Sequence, residues 1–595
     1  MPKADLTELA ARLEAHLGDP HDPTSLMPFE QILDHDEREE FPYAFVNLLQ
    51  RWGVHEYVIP KAQGGKAGDV EVGFNLLRLI ARRDPTSATA LMLTSLSFMP
   101  AWIAGTDQQK QYVVDLMKQG SKLAWGLSER HHGSDVLGNE MRAEKVDGGY
   151  LLTGEKWLIG NATVADGVSV FARTDPKGGP AGYSIFLVEK RNTPAGAVEE
   201  LPNERLHGLR ALDMSGIRLD GVFVPDEARL GHQGQGLEIA LKSAQVARTT
   251  IGSMALAAVD TALRVTLDFT EQREIFGKKV SDIPYSRRQL TEVFADLMIA
   301  DAVSLGAVRS LQVVPEQTSV WSSVAKYFVP TLLERSMAQL NIVLGARLYL
   351  RAHPHYGIYQ KMLRDLLVAI FADGNTVVNL KNIALQLDGL LGTAAQDTAA
   401  RAAAEQRVPQ LYGIDQELPP YRPWDQELFS RGRDDALLAA PATLDRLREL
   451  ATEAKGDERV WLTRAAEVAA GLLGRAEPIH RQAGELRAAL GREYGQSAEL
   501  FDLAKQYSTL HATAACLHTF VHSGAVLDDP LPSGALLLLQ LERLHRLFGP
   551  HESITDAAVV DEVMRVLRHL HRENRLFSYW QFPLATRTGA VHAQS

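Results

Sequence analysis

The 595-residue sequence has one cysteine, Cys516, so no disulfide can form within the chain. A lone thiol fits a reducing compartment, and a cytoplasmic location is expected. No run of about 18 apolar residues stands out, so no transmembrane segment is expected; the longest apolar stretch near the end, 534–541, is too short to span. The first twenty residues lack the apolar core of a signal peptide and carry acidic groups that transit peptides avoid. Basic runs are also missing. Lys and Arg total 62 against 74 Asp and Glu, a formal net charge of −12. That balance disfavours nucleic acid and anionic membrane as partners. Beyond residue 431 the only lysines are Lys455 and Lys505, and that region is near charge balance. His518 and His522 share a one-turn spacing, but no carboxylate or cysteine pattern accompanies them, so no metal site is expected. Internal repeats and low-complexity runs are absent.

What is present is ordinary globular material, 45% hydrophobic and 23% charged. The length suggests two to four domains. Residues 1–120 are predicted helical, with apolar helical spacing at Leu76, Leu77, Ile80 and Ala81 and a buried helix or helix pair over 88–103. The texture of 121–235 is β-prone at 122–128, 150–158, 167–173 and 183–189, with a tight turn at Asp147-Gly148-Gly149. Long helical patterns return over 236–390, at 237–269 and 283–314. Residues 391–431 are predicted to be a linker ending in Leu418-Pro419-Pro420-Tyr421-Arg422-Pro423. Residues 432–595 form a C-terminal extension, with helices expected at 437–454, 461–474, 479–490, 498–521, 533–548 and 556–571.

Three separated segments carry chemistry. In the first, Trp125 and Leu127-Ser128 precede Gly133-Ser134-Asp135; a short hydroxyl and nearby amides can bond the polar edge of a ligand, and Gly133 lets a backbone pass close to it. In the second, a strand ends in Lys156-Trp157-Leu158-Ile159-Gly160-Asn161. In the third, Arg248 is followed by Arg273-Glu274-Ile275-Phe276-Gly277-Lys278; an arginine fork suits a pyrophosphate. With Pro60, Gly64-Gly65 and the Gly105-Thr106-Asp107-Gln108-Gln109-Lys110 stretch, these segments resemble, in order, the acyl-CoA dehydrogenase family over residues 40–390.

The resemblance implies a mainly α fold with an inserted β domain and an extra C-terminal helical domain, and FAD as cofactor. It implies flavin contacts at Trp125, Leu127, Ser128, Gly133, Ser134, Trp157, Leu158, Ile159, Gly160, Arg273, Phe276, Gly345 and Asn375. Substrate contacts are implied at Ser134, Arg248 and Gly374. The expected reaction is α,β-dehydrogenation of an acyl thioester on CoA or a carrier protein, with electrons passing to an electron-transfer flavoprotein, and the assembly a homodimer. Nine residues after Arg364 the family places a glutamate base; this sequence has Asp373, one methylene shorter. Capping a helix is the other role open to Asp373. A base on the earlier helix is absent, because Ala247 precedes Arg248. Trp157 comes one position early, Gly160 stands at a threonine position, and of a glycine-rich flavin loop only Gly345 is kept. His131 and His132 replace small residues beside Gly133. These departures keep two further readings open: an oxidase or oxygenase on the same fold, and a non-catalytic interaction protein.

Overall fold

The computed structural model describes residues 3–392, 397–549 and 555–585. The N-terminal helices are α1 (Lys3–Leu17), α2 (Phe29–Arg38), α3 (Tyr43–Trp52), α4 (Val70–Ala81), α5 (Pro85–Ala104) and α6 (Asp107–Lys118). The stretch 88–103 is thus one helix. α5 starts where Asp84 accepts hydrogen bonds from the amides of Thr86 and Ser87, with Pro85 supplying a pre-set first turn. The Thr106 and Gln109 pair of the Gly-Thr-x-x-Gln-Lys stretch is a capping box that starts α6.

The β domain comprises β1 (Leu123–Gly126), β2 (Arg142–Val146), β3 (Gly149–Gly160), β4 (Gly167–Arg173), β5 (Tyr183–Glu189), β6 (Val198–Leu201), β7 (Met214–Pro225) and β8 (Arg229–Leu230). They form one sheet in the order β6-β7-β3-β2-β4-β5-β8, with β1 joining β4 in parallel. The predicted turn at Gly148 links β2 to β3. β7, the long partner of β3, gives no clear alternation in sequence, because Gly216, Asp220 and Gly221 interrupt it.

The following helices are α7 (Gly236–Thr250), α8 (Gly252–Gln272), α9 (Pro284–Val313), α10 (Thr318–Leu344), α11 (Gly357–Asp365), α12 (Val368–Phe371) and α13 (Thr376–Leu391). A small hairpin of β9 (Glu274–Ile275) and β10 (Lys278–Lys279) separates α8 from α9. The predicted single pattern over 237–269 is two helices meeting at Ile251. Two stretches are long and apolar enough to cross a membrane, contrary to the sequence expectation. They are Pro85–Ala104 and Gly236–Gln272, and they are 78% and 94% buried inside the protein, as core helices are.

The predicted linker needs correction. Residues 398–412 form helix α14 (Thr398–Tyr412), with Ala404, Val408, Leu411 and Tyr412 buried. Its alanine-rich sequence reads as low-information surface, yet four apolar positions form a narrow stripe. After it, residues 418–424 lie as a strap against the N-terminal helices. Gln312 donates to the Pro419 carbonyl at 2.6 Å, and Lys242 donates to that of Trp424. Residues 393–396 of the predicted linker, and 550–554 and 586–595 of the extension, lie outside the described residues.

The extension contains α15 (Asp435–Glu453), α16 (Gly456–Leu473), α17 (Ala476–Leu490), α18 (Ala498–Ser523), α19 (Gly534–Arg546) and α20 (Ala557–Arg572). α18, α19 and α20 pack on α9, and α17 and α18 on α13. His518 is sandwiched in this layer: Thr443 sits 2.9 Å from Nδ1 and the Ala436 carbonyl 2.8 Å from Nε2. Both ring nitrogens are thereby engaged.

Residues 575–585 thread back into the centre. Leu576, Phe577 and Phe582 are fully buried. The amide of Phe577 donates to Asp260 and that of Tyr579 to Asp301, both at 2.9 Å. Around them Arg82 and Arg264 bond Asp260, and Arg78 bonds Asp301.

Candidate functional site

α11 fixes the register of the site. Arg364, near its end, donates to Asp36 at 2.6 Å and to the His207 carbonyl at 3.0 Å. Asp365 accepts from the Leu209 amide at 2.7 Å and pairs with Lys361. Arg364 and Asp365 therefore clamp α11 to the N-terminal helices and the β domain. The spacing from Arg364 to Asp373 is a structural ruler, and neither clamp residue faces the chemistry.

Beyond α12 the chain turns sharply. Asp373 has φ +54° and Gly374 φ +100°. A β-carbon at Gly374 would lie 3.2 Å from the Arg248 guanidinium, so glycine answers both the backbone angle and the space. The cap of α13 is Asn375, whose side chain accepts from the Val378 amide at 3.0 Å. Asp373 is therefore not the capping residue. Asn379 pins the turn by donating to the carbonyls of Gly374 and Asn375, each at 2.9 Å.

The Asp373 carboxylate accepts no hydrogen bond from the described residues. Burial raises its pKa, and the positive charges of Lys326 and Arg248 only partly counter that rise. Arg248 was expected to touch substrate; instead its Nε donates to the Asp373 backbone carbonyl at 3.2 Å. Burial lowers its pKa to about 10 against the opposing charge of Asp373. Lys326, on α10, is the residue that sequence reasoning missed. It is 1% exposed and donates at 2.6 Å to the Ala369 carbonyl of α12. Burial lowers its pKa to about 7, with Asp373 pulling the other way. The available signal was one charge inside Ser323-Val324-Ala325-Lys326-Tyr327-Phe328, a run otherwise without charge.

The β domain brings its two segments together. The Trp157 amide donates to the Ser128 carbonyl at 3.1 Å. Beneath them Lys156 is fully buried and donates to Glu129, Asn139 and the Leu127 carbonyl. Glu129 in turn accepts from the amides of Glu140 and Met141, so the 127–129 loop is rigidly held. Trp125, Leu127 and Ser128 are half-buried along this edge. Asn375 donates weakly to exposed Ser134 at 3.4 Å, which joins the Gly-Ser-Asp loop, with exposed Gly133, to the Asp373 turn. The two histidines differ: His131 is exposed, while His132 lies 3.5 Å from Asp135.

Trp157 is corrected. Its indole donates to Glu204 at 2.8 Å and lies under the Arg130 guanidinium at 4.7 Å, so it is committed to the β domain. A bulge between Trp157 and Ile159 puts Leu158 at φ +54° with its side chain exposed, so Leu158 takes the outward position one residue later. Ile159 is buried in the sheet core. At Gly160 a β-carbon would meet the end of the Leu93 side chain of α5, which would have to move aside.

Arg273, Phe276 and Gly345 are not brought to this cluster. Arg273 and Phe276 belong to the β9–β10 hairpin, where Phe276 is 96% exposed at φ +52°. Gly345 ends α10 at φ +63°, also exposed. α7 carries Val246 and Thr250, on either side of Ala247 and Arg248, into the wall of a cavity of about 610 Å³. Phe74 and Leu77 of α4 and Met92 and Leu96 of α5 line its other walls. No group of three or more His, Cys, Asp or Glu able to hold a metal occurs among the described residues.

A helical domain, a sheet and a helical bundle follow in this order, with the half-buried carboxylate of Asp373 beside α7 and α10 of the bundle. Family models for the N-terminal, middle and C-terminal acyl-CoA dehydrogenase domains match residues 25–121, 124–222 and 234–387. The chain is 31% identical to an acyl-CoA dehydrogenase of Bacillus subtilis over 258 residues, 43% of this chain and 67% of that protein. It is 27% identical to a caffeyl-CoA reductase–Etf complex subunit of Acetobacterium woodii over 351 residues, 58% of this chain and 90% of that one. An FAD-complexed acyl-CoA dehydrogenase structure from Bacillus anthracis superposes with a TM-score of 0.67 at 17% identity, covering 96% of each chain, so the extension too has a known fold. The chain belongs to the acyl-CoA dehydrogenase family, a family of oxidoreductases acting on CH–CH bonds.

Proposed function

We propose that this protein is an FAD-dependent dehydrogenase of an apolar acyl thioester, with Asp373 as the base that takes the α-proton. The observation that carries this is the placement of Asp373 in a strained turn, half-buried, free of hydrogen bonds from described residues, and faced by two cations. An α-proton of a thioester is weakly acidic, so its base gains from desolvation, which raises carboxylate basicity. The positive charges of Lys326 and Arg248 limit that rise. Arg248 and Asn379 hold the turn in place, and the Asp373 amide is available to the thioester oxygen.

The residues present fit FAD. The rigid 127–129 loop offers an amide and the Ser128 hydroxyl to a flavin edge, and Leu158 presents an exposed apolar side chain in place of the expected tryptophan. Arg273 and Phe276 are exposed on the hairpin and suit a pyrophosphate and an adenine, and exposed Gly345 leaves room for a close backbone approach. When bound, FAD supplies the acceptor for the hydride leaving the β-carbon. The A. woodii relative is a subunit of an Etf complex, which supports an electron-transfer flavoprotein as the next acceptor. The extension covers α9 and α13, which supports a homodimer rather than a larger assembly. Sedimentation showing a tetramer would count against that.

The test is spectroscopic. The purified protein is expected to be yellow, with oxidised-flavin absorption that bleaches on anaerobic addition of an acyl-CoA. Stoichiometric oxygen consumption without reduction of a one-electron acceptor would replace this reading with an oxidase.

A further inference from the structure

The large cavity has walls of two origins. α4, α5 and α7 supply one side, all within the region that matches the family models. Tyr421 and Trp424 of the strap supply the other, and the strap lies outside that region. Its position is fixed by several independent contacts. Gln312 donates to the Pro419 carbonyl at 2.6 Å and, through its oxygen, accepts from the Val70 amide at 2.9 Å, so one side chain ties strap to α4. Gln245 of α7 donates to the Glu427 carbonyl at 2.8 Å just beyond the strap. The Lys110 ammonium sits 5.2 Å from the centre of the Trp424 ring, and the Tyr421 hydroxyl approaches the Met99 sulfur of α5 at 3.9 Å. Pro419, Pro420 and Pro423 restrict the backbone, so little entropy is lost in holding this shape.

We propose that the strap is the specificity-determining wall of the site: Tyr421 and Trp424 set the length of acyl chain accepted, and the substrate is a medium- to long-chain acyl thioester. This rests on the dehydrogenase reading above. The chemistry of the cavity carries it. About 610 Å³ corresponds to the bulk of roughly twenty water-sized groups, far beyond what a butyryl chain fills. Phe74, Leu77, Met92 and Leu96 make the α4 and α5 side of the wall apolar, so a hydroxylated or charged group packed against that side would lose hydrogen bonds, whereas Lys61, Gln63, Asp69 and Lys110 supply polar groups elsewhere on the lining. One helix serves both places: Val246 and Thr250 of α7 line the cavity, and Arg248, roughly 200° round the helix from Val246, bonds the Asp373 turn.

Butyryl, octanoyl, dodecanoyl and hexadecanoyl-CoA are compared as anaerobic bleaching substrates of the holoenzyme. The matching S-alkyl CoA thioethers, which lack the acidifying carbonyl, are titrated by calorimetry. Affinity of the thioethers is expected to climb by up to about fourfold per methylene until the chain meets the strap. Tyr421→Ala, and separately the half-exposed Trp424→Ala, are expected to move that limit to longer chains. The hexadecanoyl-to-octanoyl ratio of kcat/KM should rise by about tenfold or more, as two further methylenes become buried. Superimposable chain-length profiles for wild type and both variants would overturn the proposal. If no thioester of any length bleaches the flavin while the variants still shift thioether affinity, the dehydrogenase reading fails and the strap assignment survives.

Discussion

Asp260, fully buried, and Asp373, half-buried, are each faced by two cations, and their environments push them in opposite directions. At Asp260 burial works against ionisation, but Arg264 and Arg82, both hydrogen-bonded to the carboxylate, win and hold the pKa far below the usual range. At Asp373 desolvation wins, because Lys326 and Arg248 each donate to a backbone carbonyl and neither donates to the carboxylate. The difference lies in where the cations place their protons rather than in how many there are. A carboxylate saturated by donors is an architectural joint. One with nearby charge but no donor keeps lone pairs for a substrate.

Substitutions can break this contrast. The largest effect is expected from Asp373→Asn, which should slow anaerobic flavin bleaching by about 10²–10⁴-fold. Melting should be no lower than in wild type, since ionising a carboxylate with a raised folded pKa opposes folding. Asp260→Asn should do the reverse. It leaves Arg82 and Arg264 buried without their anion and should cost about 3–5 kcal/mol in denaturant titrations, while bleaching per folded molecule stays within a few-fold.

Lys326→Met sharpens the comparison through pH. The base must be ionised, so activity rises as pH passes through the raised pKa of Asp373. Removing a cation raises that pKa further, and the acidic limb of the kcat/KM profile should move to higher pH. Stability gives an independent check. With its pKa lowered from 10.5 to about 7, Lys326 is neutral in the folded protein where the unfolded chain still binds a proton. Wild-type stability therefore gains with rising pH across that window, and the variant should lose this gain. The smallest effect is expected for Asn375→Ala, about 1 kcal/mol for the lost cap, with a modest fall in bleaching rate as the turn loosens.

Much of the fold was legible because its signals are local. The six extension helices follow apolar periodicity with ends set by Asp434, Ser497, Ser533 and Asp556 as caps. α14 was missed because alanine carries little periodic signal, and β7 because glycines interrupt its alternation. In the site, Asp373 and Arg248 were visible through spacing. Arg248 was given the wrong contact, because sequence does not say whether a guanidinium reaches ligand or backbone. Lys326, Leu93 and the strap were invisible for one shared reason: each matters through a neighbour distant in the chain, as Leu93 does through Gly160. The Trp157 shift shows the same limit, since a bulge decides which of two adjacent side chains faces out.

The closing segment of the chain has a temporal consequence. Ala585 donates its amide at 3.0 Å to Glu14 of α1, 571 positions earlier. At cellular synthesis rates, about half a minute to two minutes separates the appearance of these two residues from the ribosome. Throughout that interval Glu14 lacks this partner, and Arg78, Asp260 and Asp301 wait for the backbone of Phe577 and Tyr579. The nascent enzyme therefore reaches its final interior only after synthesis has passed α20 and Ala585, and ribosome-bound intermediates should be open to proteases at α1 until then.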